Sequence, residues 1–300
     1  MSEQAGFRYF FHSPAFLKNQ GLYHTAESRR GDFSGKIFWF KQQREGFSPL
    51  RAPFGGLDYT GTWSLDAASD LIVRLMAELK EEKIQTFVMT QSPDAYQPEE
   101  NLSFARLLLE TGFELQHQDI NFHLLVNQSF RKHLHRSERW KLNKLIRHGF
   151  VFQKEEAISW EMVYPFFLES RIRKGYELSM SRESLERVFA MFPEQYSLFT
   201  VLKDGEPAAM AITVEVNSDI LYVFYTADDL KFRKFSPVVL LHAGIYDYAA
   251  ARKIRLLDLG TCSLRGMVNS GVATFKRSLG GIASLKNTWI WRLGASRKSS

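Results

Sequence analysis

The stretch SPVVLLHAGIYDYAAARKIRLLDLGT, residues 236–261, reads as a helix running into a short apolar strand. A second helix, NSGVATFKRSL (269–279), a glycine at 280 and a last strand, SLKNTWIWRL (284–293), complete the pattern. The same order stands earlier in the chain: helix SDLIVRLMAELKEEK (69–83), strand QTFVMTQ (85–91), helix ENLSFARLLLE (100–110), Gly112, and strand FELQHQDINFHLLV (113–126). The spacing agrees as well, with Ser69 to Ser236 at 167, Gln85 to Arg255 at 170, Gly112 to Gly280 at 168 and Val126 to Leu293 at 167. Landmarks at nearly one offset point to a duplicated domain, since solenoid repeats are only about 20 to 50 residues long.

Strand-type segments precede each copy: FRYFF (7–11), KIFWFKQQ (36–43) and GFSPLRAP (46–53) in the first, YSLFTVLKDGEPAAMAITVEV (196–216) and DILYVFYTA (219–227) in the second. Asp204-Gly205 marks a hairpin within the longest of them. Adjoining strands followed by helix, strand, helix, strand predict an α/β fold, a mixed sheet with helices on its faces, built twice. The expected organisation is one domain over 1–127, a second over 128–293 and a loose tail over 294–300. The second is expected to open on a single basic helix, QSFRKHLHRSERWKLNKLIRHG (128–149). Phe130, Leu134, Leu142 and Leu145 fall on its buried side and Lys132, Arg136, Arg139 and Arg147 on its outer side. That outer face is either an ordinary solvated surface or a contact for phosphates.

The 300 residues, 45% hydrophobic and 24% charged, suffice for two cores, and a net charge of +6 favours anionic partners without choosing among them. No apolar run approaches the roughly 20 residues that cross a bilayer, and the N-terminus lacks a secretory pattern, so a cytoplasmic protein is expected. The lone cysteine, Cys262, forms no internal disulfide and reads as a small residue at a strand end. Phosphate-loop, dinucleotide, zinc-protease and nucleophile-elbow motifs are all missing, and His133-x-His135 on a helix points its rings apart, so no metal site is expected. Gly55 and Gly56, in SPLRAPFGGLDY (48–59), mark either a turn or a place where open backbone amides meet a substrate.

SPLRAPFGGLDY, the basic helix, ESRIRKGYELS (169–179), LFTVLKDGEPAAMAI (198–212), LYVFYTADD (221–229), FSPVVLLHAGIYDYAAARKIRLLDLGT (235–261) and FKRSLGG (275–281) together resemble the FemAB/FemX-like aminoacyltransferases and related acetyltransferases of the GNAT superfamily. The resemblance spans the chain from about Phe10 to Leu293 and implies two tandem GNAT-like domains. It further implies an N-acyltransferase that moves an acyl or aminoacyl group, from an acyl-CoA such as acetyl-CoA or from aminoacyl-tRNA, onto a primary amine of a small molecule or peptide. The best-studied branch extends peptidoglycan side chains. By this resemblance Phe275 and Lys276 lie at the acyl-donor site, with Lys276 meeting the charge that develops on the carbonyl oxygen. The other reading of Lys276 lays its stem on the core and its ammonium in solvent.

Arg173 and Tyr225 are candidates to bind the acceptor, and Asp258 to take the proton of the attacking amine, against structural roles for each. Coenzyme A users of the superfamily usually carry a glycine-rich turn for the pyrophosphate. Here TADDLKFRKFSPVV (226–239) has no glycine, leaving Lys231, Arg233 and Lys234 to meet phosphates by charge. A protein of another class, a non-catalytic nucleic-acid binder on the same fold, would rest on the basic helix alone.

Overall fold

A computed structural model describes residues 6–294; the tail expected over 294–300 lies outside them but for its first residue. The first repeat runs α1 (Pro14–Gln20), β1 (His24–Arg30), β2 (Phe33–Gln42), β3 (Glu45–Ser48), β4 (Leu57–Thr60), α2 (Leu65–Glu81), β5 (Thr86–Thr90), α3 (Pro98–Glu110), β6 (Glu114–Leu125). The second begins α4 (Phe130–His133), α5 (Arg136–Arg147), β7 (Phe150–Lys154), α6 (Trp160–Arg173), α7 (Arg182–Met191), β8 (Tyr196–Lys203), β9 (Glu206–Asn217), β10 (Ile220–Asp228). It ends α8 (Val238–Ala251), β11 (Leu256–Thr261), β12 (Ser263–Leu264), β13 (Met267–Val268), α9 (Ser270–Ser278), β14 (Ile282–Arg292). The repeated order of helix, strand, helix, strand is therefore present, as α2–β5–α3–β6 and α8–β11–α9–β14. The hairpin at Asp204-Gly205 joins β8 to β9, both residues taking positive φ (52° and 81°) as a tight two-residue turn requires.

The chain forms two compact units, and their membership follows no single cut in the sequence. One takes the residues up to Asn121, Ser263–Val268 and those from Ser284 onward; the other takes Phe122–Cys262 and Asn269–Ala283. In the first unit β2 pairs with β1, β3 and β4, β3 runs parallel to β5, and β14 lies antiparallel on β5 with Trp289 opposite Met89. The amphipathic helix α2 lays Leu71, Ile72, Leu75 and Leu79 onto this sheet, in a core with Trp39, Phe87, Trp289 and Trp291. In the second unit β7, β8, β9 and β10 form an antiparallel meander, β11 runs parallel to β10, and the end of β6 joins through Val126 N–H to the Arg255 carbonyl. The first unit thus takes most of the last strand of the second repeat, and the second unit takes the end of the last strand of the first.

Two local expectations need correction. FRYFF forms no strand: Phe10–His12 is a 3-10 turn, because Phe10 and Phe11 pack edge-on against Phe16, and Phe11 also against Phe54. The basic helix is not continuous either, since Leu134 and His135 are extended (ψ 138° and 153°) and separate α4 from α5. The break serves α9: His135 N–H donates to the Ser278 carbonyl at 2.9 Å, and a Cβ on Gly280 would lie 2.4 Å from the His133 carbonyl oxygen. Gly280 stops α9 with φ +86°, its N–H closing on the Arg277 carbonyl while Gly281 N–H returns to that of Lys276. No helix among the described residues is long and apolar enough to cross a membrane.

Candidate functional site

Strands β10 and β11 are paired only from Ile220–Leu256 to Tyr222–Asp258. Past that rung they part, β10 continuing to Asp228 and β11 to Thr261, so backbone that a continuous sheet would use is left at a fork. Helix α9 lies by this fork. Asn269 starts it, its side chain accepting from Val272 N–H at 3.1 Å, its own N–H donating to the Cys262 carbonyl and its amide nitrogen donating to the Tyr176 hydroxyl.

Lys276 comes off α9 with 9% of its surface exposed, and its Nζ donates to the carbonyls of Gly260 and Thr261, both at 2.8 Å. The ammonium is therefore held inside, and the reading with Nζ in bulk solvent does not describe this side chain. Burial pushes it down to about 8 from an ordinary 10.5, against the opposing pull of Asp258 and, more weakly, Cys262. Asp258 is 1% exposed and its Oδ1 accepts the Gly260 N–H at 2.7 Å. Gly260 is at φ +78°, and a Cβ there would stand 3.8 Å from Nζ and 3.4 Å from the Tyr222 ring. An ammonium carries three donors, so two bonds to carbonyls leave one for a ligand.

Phe275, next to Lys276, turns the other way and meets the His242 ring edge-on at 5.8 Å between centroids. His242 is buried on α8, its Nδ1–H donating to the Val238 carbonyl, and burial pushes it down to about 4, so it is neutral at pH 7. Tyr225, on β10, exchanges a 2.5 Å hydrogen bond with Ser179, stacks on Phe224 and lies 5.2 Å below the Arg171 guanidinium. Its hydroxyl is raised by burial, as is that of Tyr222, which sits level with Asp258 in the pairing of β10 and β11.

Arg173, on α6, is engaged: its Nη2 donates to the Asp228 carbonyl at 2.7 Å and to Asp228 Oδ1 at 3.2 Å. Arg233 meets the other carboxylate oxygen at 3.3 Å and Lys174 the first at 3.4 Å, so one buried aspartate gathers three cations. Lys231 is paired with Glu206, and Lys234 lies over the Phe235 ring at 5.3 Å. Four backbone amides of this segment are also committed: Lys231 N–H goes to the Asp229 carboxylate, Phe232 N–H to the Asp229 carbonyl, Ser236 N–H to Arg233 and Val239 N–H to Ser236. These four amides are thus committed within the chain, and residues 228–239 hold no glycine of the kind that lets a pyrophosphate approach the backbone closely.

The structure thus brings Lys276, Asp258 and Tyr222 to the fork, and Arg173, Arg233 and Asp228 to the far end of β10. Gly55 and Gly56 belong to the other unit. Their amides are not open: Gly55 N–H donates to the Thr90 carbonyl and Gly56 N–H to Ser48 Oγ, each at 2.9 Å. Gly55 does line, with Gln91, Glu100 and Asn101, a cavity of about 10 Å³, the space of about one water.

One residue not singled out by its sequence joins the first group. His123, near the end of β6, is 8% exposed, its Nδ1 has no hydrogen-bond partner among the described residues, and burial lowers its pKa while the Asp258 charge opposes that. The signal was a histidine inside the buried run Phe122–Leu124, where a neutral polar ring needs a reason.

A sequence profile of the acetyltransferase (GNAT) domain matches residues 128–277, half of the chain. No curated protein matches. Among solved structures the chain is similar to FemX, with a TM-score of 0.69 at 12% identity over 95% of this chain and 92% of that one. It is also similar to L-PGS from Bacillus licheniformis, with a TM-score of 0.60 at 11% identity over 94% and 87%. A tandem GNAT protein from the clavulanic acid biosynthesis pathway gives 0.53 at 12% identity over 89% and 82%. At such identities the likeness is one of fold, and the fold is the tandem one that the repeat implied.

Proposed function

This chain belongs to the GNAT acetyltransferase family, and from that premise we propose that it is an N-acyltransferase whose acyl carbonyl is processed at the fork between β10 and β11. The observation that carries this reading is the buried Lys276 ammonium, fixed by two carbonyls with one N–H to spare. In the reaction, the nitrogen of a primary amine attacks the activated carbonyl, the carbonyl oxygen gains negative charge, and collapse expels the thiolate or alkoxide as the amide forms. A positive charge held away from water lowers that barrier, with single donors of this kind contributing about 10²–10³ in rate. Asp258 and the neutral ring of His123 are the proton acceptors of this reading, and the proton ends on the departing group.

For the donor, the committed amides and paired cations of residues 228–239 weigh against a coenzyme A pyrophosphate held there. An aminoacyl ester, as in the FemAB/FemX resemblance, asks nothing of that segment. We therefore favour an aminoacyl-tRNA donor over acetyl-CoA, with a peptide or small-molecule amine as acceptor. Tyr225 and Arg173 flank the acceptor side in this reading, Arg173 by fixing the end of β10. The test is amide formation by the purified protein, offered charged tRNA and acetyl-CoA separately with a panel of primary amines and read by mass spectrometry. Product from charged tRNA that falls about 10²-fold or more in Lys276→Met supports the reading; product from neither donor, or full activity of that variant, overturns it.

A further inference from the structure

We infer that the outer face of α5, together with the turn Leu230–Phe235 beside it, is a docking surface for an anionic lipid membrane. Helix α5 buries Glu138, Leu142 and Leu145. On the opposite side Arg136, Trp140, Asn143 and Arg147 form one stripe at helical spacing, with Arg139 and Lys144 along its edges. Residues 131–148 hold seven Lys and Arg against one acid, Glu138, which is buried and bonded to Lys141 at 2.8 Å.

The centre of this basic stripe is an indole that is 58% exposed, a large apolar side chain set among cations. The Lys144 ammonium lies 5.2 Å from the Trp140 ring and 4.9 Å from the Phe235 ring, and the Lys234 ammonium lies 5.3 Å from the Phe235 ring. Cations and rings therefore alternate from α5 into the adjoining turn. Ile146, on the flank of α5, and Leu230, at the start of the adjoining turn, are 51% and 54% exposed and add aliphatic surface beside the stripe.

Lysine and arginine with tryptophan and aliphatic side chains is the combination a headgroup layer accommodates: phosphates meet the cations, while the indole sits at the boundary and the aliphatic groups reach inward. A nucleic acid would also meet the cations. It takes no benefit from Ile146 and Leu230, and single strands are held in basic grooves with rings for stacking, whereas this is the convex side of a helix. The charge complementarity thus favours the lipid surface. The inference is independent of the acyl-transfer reading, because none of these side chains belongs to the fork.

The test uses the full chain and sedimentation with vesicles, one set of phosphatidylcholine alone and one of phosphatidylcholine mixed with phosphatidylglycerol. Binding is expected to the anionic set only, weakening with added salt. Each cation removed should lower partitioning about fivefold, so the triple variant R136Q/R139Q/K144Q should lose about 10²-fold. Trp140→Ala should weaken binding, and the blue shift of tryptophan emission on anionic vesicles should vanish in Trp140→Phe. All four positions are at the surface, and circular dichroism of each variant checks that the fold is kept. Equal binding to both vesicle sets, no binding to either, or unchanged binding of the triple variant would overturn the inference. Tight binding to tRNA lost in the triple variant, without vesicle binding, would assign this face to nucleic acid and overturn it too.

Discussion

Lys276→Met separates stability from activity along the pH axis. Folding depresses the ammonium from 10.5 to about 8. Below 8 the folded and unfolded chains both carry the proton and stability does not respond to pH. Between 8 and 10.5 the folded state has released it and the unfolded state has not, so stability rises with pH, by about 3 kcal/mol in all, and levels off above. The chemistry runs the other way, since it is the protonated form that meets the oxyanion, so kcat/KM should fall as pH rises through about 8. Methionine keeps the stem in place. It strands the carbonyls of Gly260 and Thr261, at about 1–3 kcal/mol each, and removes a buried charge of comparable cost, so the variant should be nearly as stable as the parent at neutral pH. Urea unfolding and kinetics across pH 7 to 10.5, taken as the difference between parent and variant, cancel the other titrating groups. The parent should become relatively more stable but less active over one window, and the variant should lack both trends. An alkaline limb that persists in Lys276→Met, or stability and activity rising together, refutes the reasoning.

Three further outcomes are expected. Asp258→Asn removes the charge that holds the Lys276 pKa up, so the alkaline fall in kcat/KM should move to lower pH. Gly260→Ala puts a side chain at φ +78° and against Tyr222, and should lower stability by about 1–2 kcal/mol in urea unfolding while raising the concentration of donor needed for half-maximal rate. Gly244→Ala places a Cβ 2.3 Å from the Phe152 ring, and thermal unfolding should report a loss of about 1–3 kcal/mol with kcat unchanged, because the clash falls on the edge strand β7 and not at the fork between β10 and β11.

The repeat was legible because apolar periodicity is local: α2 and α8, β5 and β11, α3 and α9 each announce themselves within a dozen or so residues. The break at Leu134–His135 was not, because the helical pattern continues through it and what extends the backbone is a distant partner, the Ser278 carbonyl. FRYFF failed for the same reason, its rings being recruited by Phe16 and Phe54. Lys276 could be found from its place after Phe275, but no spacing rule says whether an ammonium on an amphipathic helix turns in or out. His123 looked like any scattered histidine until β6 placed it within reach of the Asp258 charge.

The final strands carry a consequence of their own. Ser284–Arg292 completes the unit that holds α2, while the end of β6 completes the unit that holds α8. A gene divided at its midpoint would therefore encode two fragments, each with a raw sheet margin and each holding the piece its sibling lacks. Made separately they should aggregate; made together they should find one another, as split reporters do. Neither repeat could therefore be removed without leaving the unit built around the other short of part of its sheet.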